Sequence, residues 1–349
     1  VKVLVAMSGG VDSSVAASLL VEEGHEVSGV TLKLWGGPSD AGCCSVEDVL
    51  DAARVADQLG IAHHVFDLTE EFDTHVVGPF VSEHKAGRTP NPCIECNRHL
   101  KFDLLLEASA RLGFDRLATG HHARIVTGVD GPMLLRGRDF AKDQSYVLSM
   151  LSAAQLARLV LPVGALTKEA VRLHAVERRL RTSGKPDSQD LCFIDSVGGR
   201  SGFLAERTGL TAGELRDAAT GEVVGEVAAV ELVTVGQRRG LGVDGEGRRR
   251  VAVAVRPKDR TVLVAPLEEA LMSAVALDRH DASWVVTAPP EGTEVLVQLR
   301  AHGEVSLGIW CERSIELAEP VAPVAPGQTA AFYDPAMPER VLGSAKVAG

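Results

Sequence analysis

The chain has no apolar run long enough to cross a bilayer, which excludes a membrane-spanning helix as its organising element. It does not open on a basic segment followed by an apolar stretch and a cleavage site, so no secretory leader is read there and a soluble, cytoplasmic enzyme is expected. Internal repeats and low-complexity tracts are missing too. Net positive charge is also lacking: the formal charge is −11, which argues against a general nucleic-acid binder but leaves room for local basic faces. Arg178, Arg179, Arg181 and Lys185 form one such group, and Arg238 and Arg239 with Arg248, Arg249 and Arg250 another. On charge alone, each reads first as a solvated face. Cysteines are few, at Cys43, Cys44, Cys93, Cys96, Cys192 and Cys311. In a large chain, close pairs of this kind speak for metal or redox chemistry more than for structural disulfides. At 349 residues and 45% hydrophobic, the chain exceeds one ordinary domain and has ample material for proper cores.

What is present begins at the amino end. Residues 3–7 read as a short buried strand, Gly9 and Gly10 follow, and a helix runs through Val15, Leu19 and Leu20 to stop near Gly24. Glycines allow a sharp turn and close approach of main-chain N–H groups to an anion, and the positive end of the helix dipole faces the same place. No lysine follows these glycines, so a Walker A loop is excluded. The string Ser8-Gly9-Gly10-Val11-Asp12-Ser13-Ser14 instead resembles the PP-loop of ATP pyrophosphatases. Such enzymes split ATP between the α and β phosphates and adenylate a substrate oxygen. A tight turn that binds nothing is the plain alternative.

Strand and helix patterns alternate as far as about residue 194. Strands are expected at 27–34, 63–68 and 116–119, and helices at about 45–60 (Ser45 and Asp48 forming a capping box), 70–85 and 97–112. This rhythm predicts an α/β domain with a doubly wound parallel sheet. In such sheets ligands sit beyond the carboxyl ends of the strands. Afterwards helical patterns thin out and short β segments multiply: 222–227, 230–235, 249–255, 261–265, 284–287, 294–299 and 305–310. The reading is a catalytic domain over 1–197, a small β-rich domain over 198–265 and a barrel-like β domain over 266–349. The glycine-rich stretch 236–250 is read as a segment able to stay unfolded until RNA binds.

Residues 89–97, Thr-Pro-Asn-Pro-Cys-Ile-Glu-Cys-Asn, form a loop stiffened by two prolines. Asn97 suits the cap of the next helix, which would set Cys96 near a helix N-terminus and favour its thiolate. Cys192 lies in a strand-like run, 187–194. Together with AMSGGVDSS from Ala6, ATGHHAR from Ala118, KDQSYVL from Lys142, SQDLCFI from Ser188, GQRRGLG from Gly236 and the segment from Pro326 to Tyr333, these motifs resemble the tRNA-specific 2-thiouridylase family, MnmA or TrmU, over nearly the whole chain.

The resemblance implies sulfur insertion at C2 of the wobble uridine of lysine, glutamate and glutamine tRNAs. ATP, with Mg²⁺ oriented by Asp12, would adenylate the C2 oxygen. Cys192 would carry a persulfide supplied by a cysteine desulfurase or sulfur carrier, and Cys96 would assist by acid–base help or by forming a disulfide that frees the sulfur. Ala6, Met7, Ser8, Gly9, Gly10, Val11, Asp12 and Ser13 would hold the phosphates, with Leu32 and Gly120 at the adenosine. Asn91, Pro92 and Cys93 would surround the target base. His121, Lys142, Asp143, Gln144, Arg300, Ala301 and Gln328 would touch tRNA. Ala301 stands where the family often has an aromatic residue.

Cys93 is a departure, since many relatives carry aspartate there. With Cys96 and Cys192 it gives three thiolates, enough for a [4Fe–4S] cluster with one open iron that could deliver sulfide instead. Two other functions stay open: a PP-loop ligase adenylating a small molecule, and a non-enzymatic iron–sulfur or RNA-binding protein on a relict nucleotide fold. Cys43, Cys44 and Cys311 read as packing residues, and His63, His64 and His122 as structural.

Overall fold

The computed structural model describes residues 1–34, 46–187, 191–194 and 198–349. Cys43, Cys44, the Ser45 cap and residues 188–190 lie outside them. Five parallel strands form the first sheet. β1 (Lys2–Ala6) is paired on one side with β2 (Glu26–Lys33), which leads on to β3 (Ala62–Asp67). On its other side it is paired with β4 (Arg116–Thr119), beyond which lies Leu159–Val160. Alternation along β1 sends Val3 and Val5 to one face and Leu4 to the other. The first face is covered by α1 (Val11–Glu22), α2 (Val46–Leu59) and the helix Lys168–Glu177, through Val15, Ala16, Ala52, Val55 and Val171. On the second face, Leu4, Val30, Leu32 and Leu117 meet Phe72, Phe80, Ile94 and Leu100.

The chain steps outward from β1 to β3 and then returns to the far side of β1 as β4. The order therefore reverses between β1 and β4, where open α/β sheets form their ligand crevice. Two close approaches shape that crevice. Gly9 has φ +72°, and a Cβ there would lie 2.3 Å from the Asp48 carbonyl oxygen in the first turn of α2. At Gly120 a Cβ would lie 2.6 Å from the Ser13 nitrogen and 2.7 Å from the Asp12 carbonyl carbon. The loop after β4 is thus pressed against the first turn of α1.

Several expectations are corrected. The helix expected from residue 97 begins at Pro92 and runs to Arg111, with π-helical hydrogen bonding over Cys96–Leu105. Of the strand-like run around Cys192, residues 191–194 form a turn. Residues 230–235 make no strand; Val230–Leu232 is a single 3₁₀ turn, and Val230, Val233 and Val235 are apolar because they are buried in the small domain's core region. Of the segment expected at 284–287 only Trp284 is strand, as the last residue of a long strand, Met272–Trp284, and Val285 and Val286 leave it as a bend. The 236–250 stretch is folded, with an Asp244–Arg248 turn and a Val243–Arg249 bridge. A hairpin, Ala123–Gly128 with Gly131–Arg136, was not signalled by any pattern read above.

The middle of the chain is an open antiparallel and parallel four-stranded sheet in the order Arg250–Arg256, Thr261–Pro266, Gly213–Asp217, Val223–Val227. The last part is a closed barrel of six strands. Its Trp284, Trp310 and Phe332 rings pack edge-on and face-on inside and around the barrel core. The barrel is not a loose appendage: Val285, Ala331, Tyr333 and Val341 belong to the same core as Leu4 and Leu117.

The Gly120 contact makes a test of this architecture. Gly120→Ala should shift the first turn of α1 and cost about 1–3 kcal/mol, seen as a lower urea midpoint; an unchanged midpoint would contradict the close packing.

Candidate active site

At the crevice, Gly10 is the N-cap of α1 and offers no side chain to the N–H groups behind it. Ser13 Oγ accepts from the Ser8 N–H at 3.2 Å and returns a hydrogen bond to the Gly10 carbonyl at 3.2 Å. Ser14 Oγ donates to the same carbonyl at 2.8 Å. The loop is therefore held by its own hydroxyls, while uncapped main-chain donors and the helix dipole face the crevice. This cradle suits a phosphate chain.

Asp12 projects from the first turn into a charge network. Lys168 Nζ donates to both of its carboxylate oxygens, at 2.8 and 2.7 Å, and His122 Nε2 lies 3.0 Å from Oδ1. His122 is buried, and its Nδ1 has no hydrogen-bond partner among the described residues. The same Lys168 ammonium reaches Asp187 at 2.9 Å. Asp187 also receives Lys142 at 2.8 Å and Arg172 at 2.6 Å. Burial alone would raise the Asp12 pKa, but hydrogen bonds and charge from His122 and Lys168 outweigh it and hold the carboxyl below its ordinary 3.8. Asp187 is likewise pushed up by burial and pulled down further by Lys142 and Lys168. Lys168, Asp187 and Arg172 were missed by the sequence reading, and His122 was read as structural.

The other candidates divide by what they touch. Leu32 is buried in the sheet core. His121 turns toward Phe102 and hydrogen-bonds Thr119 Oγ1 at 2.7 Å. Burial pushes its pKa well below the usual imidazole value, so it is neutral. Asp143 accepts from Arg136, from Ser145 Oγ and from the Gly137 and Ser145 N–H groups, so its oxygens are internally engaged. Gln144 Oε1 accepts the His122 N–H at 2.8 Å. Arg300 donates to the Pro323 carbonyl at 3.0 Å, and the Ala301 carbonyl accepts from Gln298. Gln328 donates to the Thr89 carbonyl at 3.0 Å, fastening the barrel to the loop that carries Asn91 and Cys93. Within the two basic groups, Arg178 pairs with Glu22, Lys185 with Asp48 and Asp51, and Arg248 with Asp244.

Asn91, not Asn97, caps the cysteine-bearing helix: its Oδ1 accepts from the Cys93 and Ile94 N–H groups at 3.1 and 3.3 Å. Asn97 is buried and donates to the Val147 carbonyl. Cys93 consequently holds the exposed first-turn position, and Cys96 lies a turn further in, 7% exposed. Cys192 packs half-buried against the core that contains Cys96. Its neighbour Phe193 anchors the turn among Phe72, Phe80 and Phe203, with ring centroids 5.6, 5.3 and 5.1 Å away. Among the described residues, no group of three His, Cys, Asp or Glu side chains converges on a metal position.

The network has a pH signature. Folded Asp12 and Asp187 hold fewer protons than their unfolded counterparts once pH falls toward 3.8. Their stabilising contribution is therefore complete above that value and lost as pH drops through the lowered folded values. The stability difference between wild type and Lys168→Met, measured by chemical unfolding, should shrink below about pH 4. A difference independent of pH would contradict the pairing.

Comparison with known proteins extends from this crevice to the whole chain. Residues 1–196 match the family described as tRNA methyl transferase HUP domain, 201–266 its PRC-barrel domain, and 275–347 the aminomethyltransferase beta-barrel domain. The tRNA-specific 2-thiouridylase MnmA of Thermobifida fusca is 46% identical over 99% of this chain and 95% of its own. That of Kineococcus radiotolerans is 47% identical over 100% of this chain and 98% of its own. A solved U34-tRNA thiolase NcsA from Methanococcus maripaludis, described with its [4Fe–4S] cluster, aligns with TM-score 0.37 and 18% identity over 55% of this chain and 60% of that one. A likeness that remote carries no inference about a cluster. Identity of this depth along the full length, and not over the nucleotide-binding part alone, decides the assignment: the chain belongs to the MnmA family of tRNA-specific 2-thiouridylases.

Proposed function

We propose that the protein thiolates C2 of the wobble uridine in tRNAs of the lysine, glutamate and glutamine type, using ATP and a cysteine persulfide. The observation that supports the mechanism is that Cys96 lies in, and Cys192 packs against, the same core on one face of the sheet. The triphosphate lies on the uncapped start of α1, with the Lys168 ammonium next to it to meet phosphate oxygens. Magnesium would supply charge neutralisation on pyrophosphate, and Asp12 is the carboxylate that would hold it.

The uracil C2 oxygen attacks the α-phosphorus and pyrophosphate leaves. This turns a poor leaving oxygen into AMP. The terminal sulfur of a Cys192 persulfide adds at C2 and AMP departs. The Cys96 thiolate then attacks the Cys192 sulfur, so the S–S bond breaks, a Cys96–Cys192 disulfide forms and the transferred sulfur stays on C2. A thiol reductant restores the pair, and a cysteine desulfurase or sulfur carrier reloads Cys192.

The [4Fe–4S] reading fits less well. Cys93 is exposed, Cys96 is buried a turn away, and no three-ligand group forms among the described residues.

Cys96→Ser and Cys192→Ser should each abolish 2-thiouridine formation, read by mass spectrometry of digested tRNA, while tRNA affinity stays within about threefold of wild type. Affinity lost in parallel with activity would overturn the assigned roles. Protein purified without oxygen should contain no stoichiometric iron or labile sulfide, and Cys93→Asp should remain active in air. Stoichiometric iron whose loss on Cys93→Asp abolishes activity would sink the persulfide reading.

A further inference from the structure

The short turn 139–142 is fixed at both ends to the charge network. Asp139 caps it through the Ala141 N–H at 3.1 Å and accepts the Lys168 N–H at 2.9 Å. Lys142 closes it on Asp187 at 2.8 Å. Between these anchors Phe140 is left 69% exposed. A single exposed apolar side chain needs no explanation of its own, but this one is held on a fixed turn at the edge of a cleft, where its ring face is open to a ligand.

Phe140 lines a cleft of about 560 Å³ between the catalytic domain and the barrel. That is within the roughly 300–1,000 Å³ range of small-ligand sites. The cleft's polar lining is selective. Arg136 donates to Asp143 at 2.8 Å and to Gln298 at 2.9 Å, and its guanidinium covers the Tyr333 ring at 3.8 Å. That cation is spent internally. His302 and Glu304 from the barrel are exposed in the lining. A carboxylate there repels phosphate but accepts from a ring N–H or exocyclic amine. The lining thus favours a base over the nucleic-acid backbone.

We propose that this cleft takes an unpaired nucleobase flanking the wobble uridine, stacked on Phe140, with its edge toward His302 and Glu304. The proposal rests on the thiolation reading above. Unstacked bases seated on aromatic rings are the usual means of holding single-stranded RNA. Here the platform lies on the turn that also supports Lys168 and Lys142, so seating the neighbour would fix the target base over the crevice.

The test is binding of an anticodon stem-loop RNA at several salt concentrations, alongside thiolation, by wild type, Phe140→Ala and Phe140→Tyr. Phe140→Ala should weaken binding about tenfold or more, and Phe140→Tyr should stay within about twofold. The slope of log affinity against log salt should be unchanged in Phe140→Ala, since no cation is removed. Wild-type affinity in Phe140→Ala, or a weakened affinity with a shallower salt slope, would overturn the proposal. So would normal RNA binding with impaired sulfur loading, which would place a protein partner there instead. Failure of the wild type to thiolate the stem-loop would instead remove the reading on which the proposal stands.

Discussion

The Lys168 ammonium between Asp12 and Asp187 is the constraint on which the site depends. It joins the first turn of α1, the start of a helix 156 residues later and the segment leading to Cys192. All three groups are partly or mostly withdrawn from solvent. Burial raises the pKa of both carboxylates, and the shared cation is one of the groups that offset it at both, beside His122 at Asp12 and Lys142 at Asp187. Removing one member of such a buried set costs about 3–5 kcal/mol, far more than a surface pair is worth. The network thus fixes where positive charge stands in the crevice before any nucleotide arrives. It also links that charge to Lys142 and through it to the Phe140 turn.

Coupling between the domains follows from the same packing. Tyr146, fully buried, donates to the Thr329 carbonyl at 2.7 Å, and Ser145 Oγ lies 3.2 Å from the Tyr333 hydroxyl. Gln328 reaches Thr89, and the Thr89 N–H donates to the Pro326 carbonyl at 2.8 Å. The barrel therefore grips both the segment that follows Lys142 and the loop that precedes Cys93. An RNA that binds the barrel rests on the same frame that sets the cysteines. Under the proposed thiolation the barrel would then help to position the substrate, through the contacts that tie it to these two segments.

Much of this was legible in the sequence where local chemistry dictates local shape. A glycine pair after an apolar strand, followed by Asp12 and two serines, could be read as a tight turn opening a helix, and the structure has Gly10 as the N-cap of α1. β4 was placed correctly because its apolar run ends at Gly120, and the structure explains why glycine is required there. What escaped was long-range. Lys168 follows Thr167, whose hydroxyl caps the helix by accepting the Ala170 N–H. Nothing local says that its ammonium meets Asp12. The cap of the cysteine helix was misplaced for a different reason. Asn91 and Asn97 are both competent caps, and proline was taken as a barrier when at the first helical position it is well tolerated.

That misplacement changes the chemistry assigned to the two cysteines. The positive end of the helix dipole acts within the first turn, where Cys93 stands and where Asn91 caps the Cys93 and Ile94 N–H groups. Cys96 lies beyond it, buried in the core on that face of the sheet. Under the proposed mechanism Cys96 acts last, after the sulfur has bonded to the base, and an enclosed position would keep it from the Cys192 persulfide until then. The order of the two sulfur steps can then be set by burial: the half-exposed thiol is open to loading, and the enclosed one acts only once substrate reshapes its surroundings.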